Sequence, residues 1–470
     1  MELFVSAPAT DVGPTSRREV IGRMDRLPAS GIGALGFAAL LICYMFANYD
    51  IGVIALALPA MIADLHLDTA EISLPITANL LAYVIGAYVF GTVADRVGRR
   101  PGLLLTVLTL AVGALLTAFS WNAASLAAFR FITGLGMGAM LSLGATYISE
   151  LMPATQRGQF LSRIYLIQTV LLAAVGFASL PILQLGPIGW RSLFGFAALV
   201  IVAVLAFTDR RLPESPRWLA DHAQLDRARR IVAELEARAY KRVDGAPPTY
   251  EEVTAGLGRS TAEDSEEVAF PTAALLRPPY LSRMLMVLGF WFLFYFPVYA
   301  FLSYTPLIFK ALGETETNAL LETVLGRVAP LLVFVFLFFF VERIQRRVLI
   351  FAGVGLIGLG LLLIISGLGT VGALIGSVVI TAGISLAVAP AYIYTAEVFP
   401  TRARASATAI GDGIGHLGGA VQPFLFLPVL NSFGPVTAVI MLVVVLGASG
   451  ACILAGLNTR SKTLTELAAA

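Results

Sequence analysis

A run of about 20 apolar residues crosses a bilayer as one helix, and this chain of 470 residues carries twelve such runs. They fall near 33–60, 74–94, 102–120, 123–149, 160–184, 192–208, 284–307, 320–341, 348–368, 371–396, 406–430 and 434–456, six before and six after one long polar segment. In lipid every backbone N–H and C=O must be satisfied within the chain, which leaves helices as the form such runs can take. With 58% hydrophobic and only 13% charged residues, the composition lies far from that of a soluble globular domain. The sequence therefore predicts an all-α membrane protein of twelve transmembrane helices in two six-helix bundles.

The two bundles look duplicated. The stretch GTVADRVGRR holds Asp95, Arg96, Arg99 and Arg100, and 247 residues later VERIQRR holds Glu342, Arg343, Arg346 and Arg347. At the same offset YISELMPATQR (Glu150, Arg157) recurs as YTAEVFPTRAR (Glu397, Arg404). Two unrelated signals at one spacing imply an internal repeat.

Short cytoplasmic loops carry an excess of Lys and Arg. All but four of the 32 basic residues fall on one side of the twelve runs, the exceptions being Arg130, Arg191, Lys310 and Arg327. Both termini are thus expected in the cytoplasm, with a tail over 1–30, bundles over 31–208 and 283–457, a linker over 209–282 and a tail over 458–470. The linker is expected to hold a charged helix from Asp221 to about Arg242, and the first 30 residues to be flexible. The net charge of +2 follows this topology and gives no reason to expect nucleic acid. No cleavable signal peptide is evident, and the absence of an Asn-x-Ser/Thr sequon favours a bacterial inner membrane. Cys43 and Cys452 both lie in apolar runs, which predicts neither a disulfide nor a metal site. No nucleotide-binding loop or Cys/His cluster suggests an enzyme or a cofactor.

The GxxxDRxGRR pattern, its echo and the twelve-run layout resemble the major facilitator superfamily over nearly the whole chain. RFITGLGMG from Arg130, PESPRWL from Pro213 and RSKTLTEL from Arg460 are similar to the sugar-porter branch, whereas YTAEVFPTRARA and GIGHLGGAVQP are closer to organic-ion and metabolite:proton symporters. The resemblance implies that Asp95, Arg96, Arg99, Arg100, Glu150, Arg157, Glu214, Arg217, Glu342, Arg343, Arg346, Glu397 and Arg404 form a cytoplasmic gate tying the halves together. The positive-inside rule alone would explain the arginines but not the interleaved acids.

Asp50 interrupts the first run and Arg130 the fourth, and counting the rise per residue puts both in the outer half, where they can pair. A carboxylate at membrane depth is retained where it faces a cavity or a partner. Burial favours its neutral form and a nearby guanidinium its charged form, so making or breaking the pair can move a proton. In sugar porters the matching Asp and Arg couple transport to protons; the plain alternative is a static pair fixing two helices. Asp412 and His416, four residues apart on one helical face, are expected at the substrate or proton path. The position of His416 resembles the charge selector of organic-ion carriers, and a histidine there can switch.

Sugar porters carry a QQxxGxN motif in the seventh run, where this chain has Leu293, Phe294, Pro297 and Tyr299, and Tyr392 replaces their tenth-run tryptophan. A hexose site would need the lost donors and acceptors. What remains is Tyr295, Tyr299, Tyr304 and Tyr392, with Gln168 and Gln422 as polar handles. Such a lining suits a planar or amphipathic solute, although aromatic residues can also simply pack or mark the interface. The expectation is a monomeric secondary transporter using protons to import a small organic solute, an organic or aromatic acid among the candidates. The alternatives are proton-driven efflux of amphipathic compounds, sugar:proton symport, and a non-transporting receptor on the same fold.

Overall fold

The computed structural model describes residues 17–153, 156–200, 212–243, 274, 275, 277, 278, 280–340, 343–399, 403–454 and 456, and among them every regular element is a helix. The first half holds α1 (Arg17–Asp25), α2 (Ala34–Leu65), α3 (Thr69–Val97), α4 (Arg99–Ala118), α5 (Ala123–Leu151), α6 (Arg157–Leu183) and α7 (Pro187–Ala198). The linker gives α8 (Pro216–Asp221) and α9 (Leu225–Lys241). The second half holds α10 (Leu281–Ala311), α11 (Glu316–Gly326), α12 (Ala329–Phe340), α13 (Arg346–Ile364), α14 (Gly369–Glu397) and α15 (Arg404–Leu454).

Among the described residues ten helices are long and apolar enough to span a membrane. The difference from twelve runs has two local causes. The eleventh and twelfth runs are merged in α15, which turns at Gly434, where a positive φ of 81° breaks the helical path, directly ahead of Pro435. The sixth run begins in α7 and passes at residue 201 beyond the described residues. The duplication is visible in the helix starts: Ala34 and Leu281, Thr69 and Glu316, Arg99 and Arg346, Arg157 and Arg404 are each 247 residues apart. Pro59 within α2 and Pro306 within α10 keep the same spacing.

One helix departs from its counterpart. α3 runs unbroken, whereas its repeat is cut into α11 and α12 at Arg327 and Val328. Pro330 lacks the N–H that would bond the Gly326 carbonyl four residues back. The Thr381 hydroxyl from α14 donates to that carbonyl instead, at 2.5 Å. Non-helical backbone at membrane depth is tolerated where protein satisfies it in this way.

Within each half, α3 packs on α5 and α13 on α14, and α10 packs along α15. Glycines let the last pair close up. A Cβ on Gly415 would stand 2.6 Å from the Tyr295 ring and one on Gly419 2.5 Å from that of Tyr299. Small residues at such seams let membrane helices gain contact area that lipid cannot supply. Large apolar side chains such as Leu332, Phe339, Val371 and Val444 remain exposed, as expected of surfaces facing acyl chains.

The halves meet where α3 lies on α15, α2 on α10, and α6 on α11 and α12. Thr77 donates to the Ala420 carbonyl at 2.8 Å, and Gly176 approaches Val324. These contacts run from mid-helix toward the end opposite Arg99, so the structure is closed at that far end.

Two expectations for the polar segments change. Residues 17–25, placed in a flexible tail, form α1 and dock on the linker, with Arg17 2.5 Å from Asp221 and Arg23 paired with Glu236. The linker helix starts at Leu225 and not Asp221, because the chain turns through a positive φ at Ala223 between α8 and α9.

Candidate functional site

Asp50 on α2 and Arg130 on α5 are brought together in the first half. Nη1 of Arg130 donates to Oδ1 of Asp50 at 2.7 Å, with the side chains 2% and 0% exposed. The Arg130 guanidinium lies 5.5 Å from the Phe194 ring centroid, and the Asn79 amide donates to the Arg130 carbonyl at 3.1 Å. One member of each group stays unanswered: among the described residues Asp50 Oδ2 and Arg130 Nε have no hydrogen-bond partner. Beside the pair lies a cavity of about 20 Å³, room for about one water, lined by Ile54, Asn79, Arg130 and Met137 from the first half and Tyr299 and Ser303 from the second. The ion pair therefore borders the surface along which the halves would part.

A second cluster spans the halves on their other contact. Tyr392 of α14 donates to Asp412 Oδ1, Tyr83 of α3 to its Oδ2 at 3.4 Å, and the Tyr295 and Tyr392 hydroxyls lie 3.1 Å apart. His416, one turn along α15, stacks on Tyr83 with centroids 3.7 Å apart and planes at 7°. Its Nδ1 is 2.9 Å from the Asp412 carbonyl. A carbonyl can only accept, so Nδ1 carries the hydrogen in that bond. Tyr295 meets the imidazole edge-on at 5.1 Å and Tyr299 lies at 5.6 Å.

Not all predicted residues join this group. Tyr304 stacks on Phe426 at 5.9 Å, its hydroxyl buried without a partner. Gln422 is fully buried and neither amide atom is bonded. Gln168 on α6 accepts from Asn48 of α2 at 3.3 Å. The sequence reading passed over Tyr83, Asn79, Asn48 and Trp291, the last of which donates to Thr395 at 3.0 Å. Asn79 and Tyr83 do carry a signal, a polar residue and an aromatic four apart and so on one face of an apolar run.

At the basic end, Arg99 pairs with Glu150 at 3.1 Å and with Asp95. Arg346 and Glu397 repeat that pair at 3.5 Å in the second half. The linker reinforces the first. Glu214 accepts from the backbone N–H groups of Arg99 at 2.9 Å, Arg100 at 3.1 Å and Ser215 at 2.8 Å, capping the start of α4. Burial pushes the Glu214 carboxyl above its usual range, against the pull of those three donors. Gly98 has a φ of 120°, and a Cβ there would strike the Glu214 carboxylate. The Trp218 indole donates to the Asp95 carbonyl at 2.8 Å, and Arg217 pairs with Asp25 at 2.6 Å. Arg96 is exposed, the Arg343 guanidinium lies 5.9 Å from the Phe340 centroid, and Arg404 donates to the Phe399 carbonyl at 3.3 Å. Glu342 and the side chain of Arg157 lie outside the described residues.

The described residues hold no cluster of His, Cys, Asp and Glu that could bind a metal.

Known proteins resemble this chain. The glucose transporter GlcP of Staphylococcus epidermidis is 27% identical over 82% of the chain and 84% of its own. The niacin transporter NiaP of Acinetobacter baylyi is 24% identical over 96% of the chain and 99% of its own. A crystal structure of a D-xylose-proton symporter superposes with a TM-score of 0.68 at 18% identity, covering 91% of this chain and 98% of the other, a likeness in fold. The sequence model for the Major Facilitator Superfamily matches residues 40–423. With two repeated helical halves and a matching Arg–Glu pair in each, this chain belongs to the Major Facilitator Superfamily and is a membrane transporter rather than an enzyme.

Proposed function

We propose that the protein is a proton-coupled symporter that imports a small planar organic solute by rocking its two halves about a midplane site. The observation that carries this reading is the buried Asp50–Arg130 pair, whose second carboxylate oxygen has no partner beside the cavity between the halves. Protonating Asp50 releases Arg130 and removes the ion pair, which changes the relative energy of the two conformations. One proton crossing with one monocarboxylate moves no net charge, so the pH difference drives it: one pH unit supplies about 1.4 kcal/mol, roughly 10-fold accumulation of solute.

The solute site lies among Tyr295, Tyr299, Tyr392, Asp412 and His416, with Gln168, Gln422 and Tyr304 on its margins. Stacked rings favour a planar solute, and one relative is named for niacin, an aromatic acid. The pairs Arg99–Glu150 and Arg346–Glu397, with Asp95, Glu214 and Arg217, serve as the gate at the basic end. The remaining gate positions, Arg96, Arg100, Arg157, Glu342, Arg343 and Arg404, complete it. The protein works as a monomer in the inner membrane with both termini in the cytoplasm.

In proteoliposomes with an inward proton gradient, uptake of labelled nicotinate is expected to be uphill for the natural protein. Asp50→Asn should lose accumulation and keep counterflow exchange. Equal loss of both would remove the case for coupling at Asp50. A second reading, symport of a sugar, is favoured by a relative named for glucose and by the unbonded Gln422 amide. D-glucose uptake without nicotinate uptake in the same vesicles would establish it.

A further inference from the structure

Four basic residues lie away from the basic end, and three have an evident place. Arg130 pairs with Asp50. Arg191 pairs with Asp64 and lies 4.2 Å from the centre of the Trp190 ring. Lys310 is exposed. Arg327 fits none of these patterns.

Arg327 occupies the break between α11 and α12. Its Nη2 crosses to the first half and donates to the Gly52 carbonyl at 2.9 Å, and a Cβ on Gly52 would land on its Nη1. Gly52 is two residues from Asp50 on α2, so this guanidinium sits at the level of the proton-coupling pair. Among the described residues it makes no ion pair. Glu322, five residues earlier, does not answer it, and both oxygens of that carboxylate are themselves unbonded. A guanidinium has five N–H donors, and this one uses one of them on a neutral acceptor.

The surroundings are built for an anion. One turn before Gly52 on α2 lies Asn48, whose amide donates to the Tyr44 carbonyl at 3.0 Å and to Gln168 Oε1 of α6 at 3.3 Å, which fixes the Gln168 amide and leaves its nitrogen as the donor. Two turns further along α6, Gly176 packs against Val324, three residues before Arg327. Thus α2, α6 and the break meet at one junction between the halves, with a guanidinium at one level and two amides about 6 Å below it by the helical rise. The Gln168 amide nitrogen donates to nothing among the described residues. A charged group is kept at membrane depth where it faces a partner or a pathway, and the planar guanidinium fork matches a carboxylate with two parallel bonds.

We propose that Arg327 is the residue that reads the charge of the cargo, binding the carboxylate of an organic monocarboxylate with the amide nitrogen of Gln168, which Asn48 holds in place, beneath it. This inference rests on the transport reading above and names its substrate class. The carboxylate replaces the Gly52 carbonyl as the partner of Arg327, so the cargo itself bridges the two halves. Asp412, already held by Tyr83 and Tyr392, repels a second anion and leaves the tyrosines to the uncharged ring.

The test is thermal stabilisation and equilibrium binding on the purified full-length protein, comparing nicotinate, benzoate and 4-hydroxybenzoate with their amides, and D-glucose as a neutral control. At least one acid is expected to stabilise the protein while its amide does not. Arg327→Gln should weaken that acid by at least about tenfold and abolish the discrimination between acid and amide. Arg327→Lys should retain part of it. Gly52→Ala, which alters no charge and pushes the guanidinium aside, should also weaken the acid. A purely structural latch would lower the melting temperature of the variants without touching the difference between acid and amide. An acid bound equally by the natural protein and all three variants would overturn the assignment to Arg327 and leave the organic-acid reading standing. Stabilisation by D-glucose or the amides with no response to any acid would overturn both.

Discussion

The two halves share a frame and differ at its middle. Arg99–Glu150 and Arg346–Glu397 occupy equivalent places 247 residues apart and form the same kind of pair. At the same offset the positions of Asp50 and Arg130 become Pro297 and Ser377. The Arg–Glu pair is thus duplicated, while the buried Asp50–Arg130 pair belongs to the first half and the tyrosine cluster is built mainly by the second. The break in the second half, absent from α3, belongs to that same division: Tyr83 in the intact helix stands where Pro330 cuts the other.

Equivalent substitutions put this comparison at risk. Arg130→Ala leaves Asp50 buried without its partner, which costs about 3–5 kcal/mol, whereas Ser377→Ala should change stability by about 1 kcal/mol or less. Similar losses on unfolding would mean the midplanes are not as different as their charges suggest. Next in size, Gly415→Val forces Tyr295 away from α15 and should cost about 1–3 kcal/mol, while Gly355, with open space around its Cβ position, should accept Ala with little change. At the basic end, Arg99→Ala removes contacts to Glu150 and Asp95 and should cost about 1–2 kcal/mol. No measurable loss would show that these contacts add nothing to the first half. The smallest effect sharpens that point: Glu214→Ala uncaps α4 and should cost about 1 kcal/mol, and in that background the loss from Arg99→Ala should shrink.

Much of the frame was legible because it rests on short-range rules. Run length gave the spans, and the repeated motif gave the two halves. Asp50 and Arg130 stood out because charge at membrane depth is rare. The break at Arg327 was harder to see, since Pro330 alone does not say whether a helix kinks or stops, and the outcome depended on Thr381 reaching the freed carbonyl. Tyr83 was missed because it sits in the first half while every partner it serves sits in the second. The helix at 17–25 was missed because a short charged segment gains stability only from docking, here through Arg23 and Glu236.

By itself the sequence determined that the chain spans a membrane and keeps Asp50 and Arg130 in an apolar setting, which follow from the cost of placing polar groups in lipid, and that it is duplicated, which follows from two motifs repeated at one offset. Only the tertiary structure decided which buried groups answer one another. It closed Asp50 onto Arg130, gathered tyrosines from three helices around Asp412, and set Arg327 against a backbone carbonyl with no counter-charge among the described residues. Those pairings join residues tens to hundreds of positions apart, and they depend on how helices of the two halves approach, which no local pattern records.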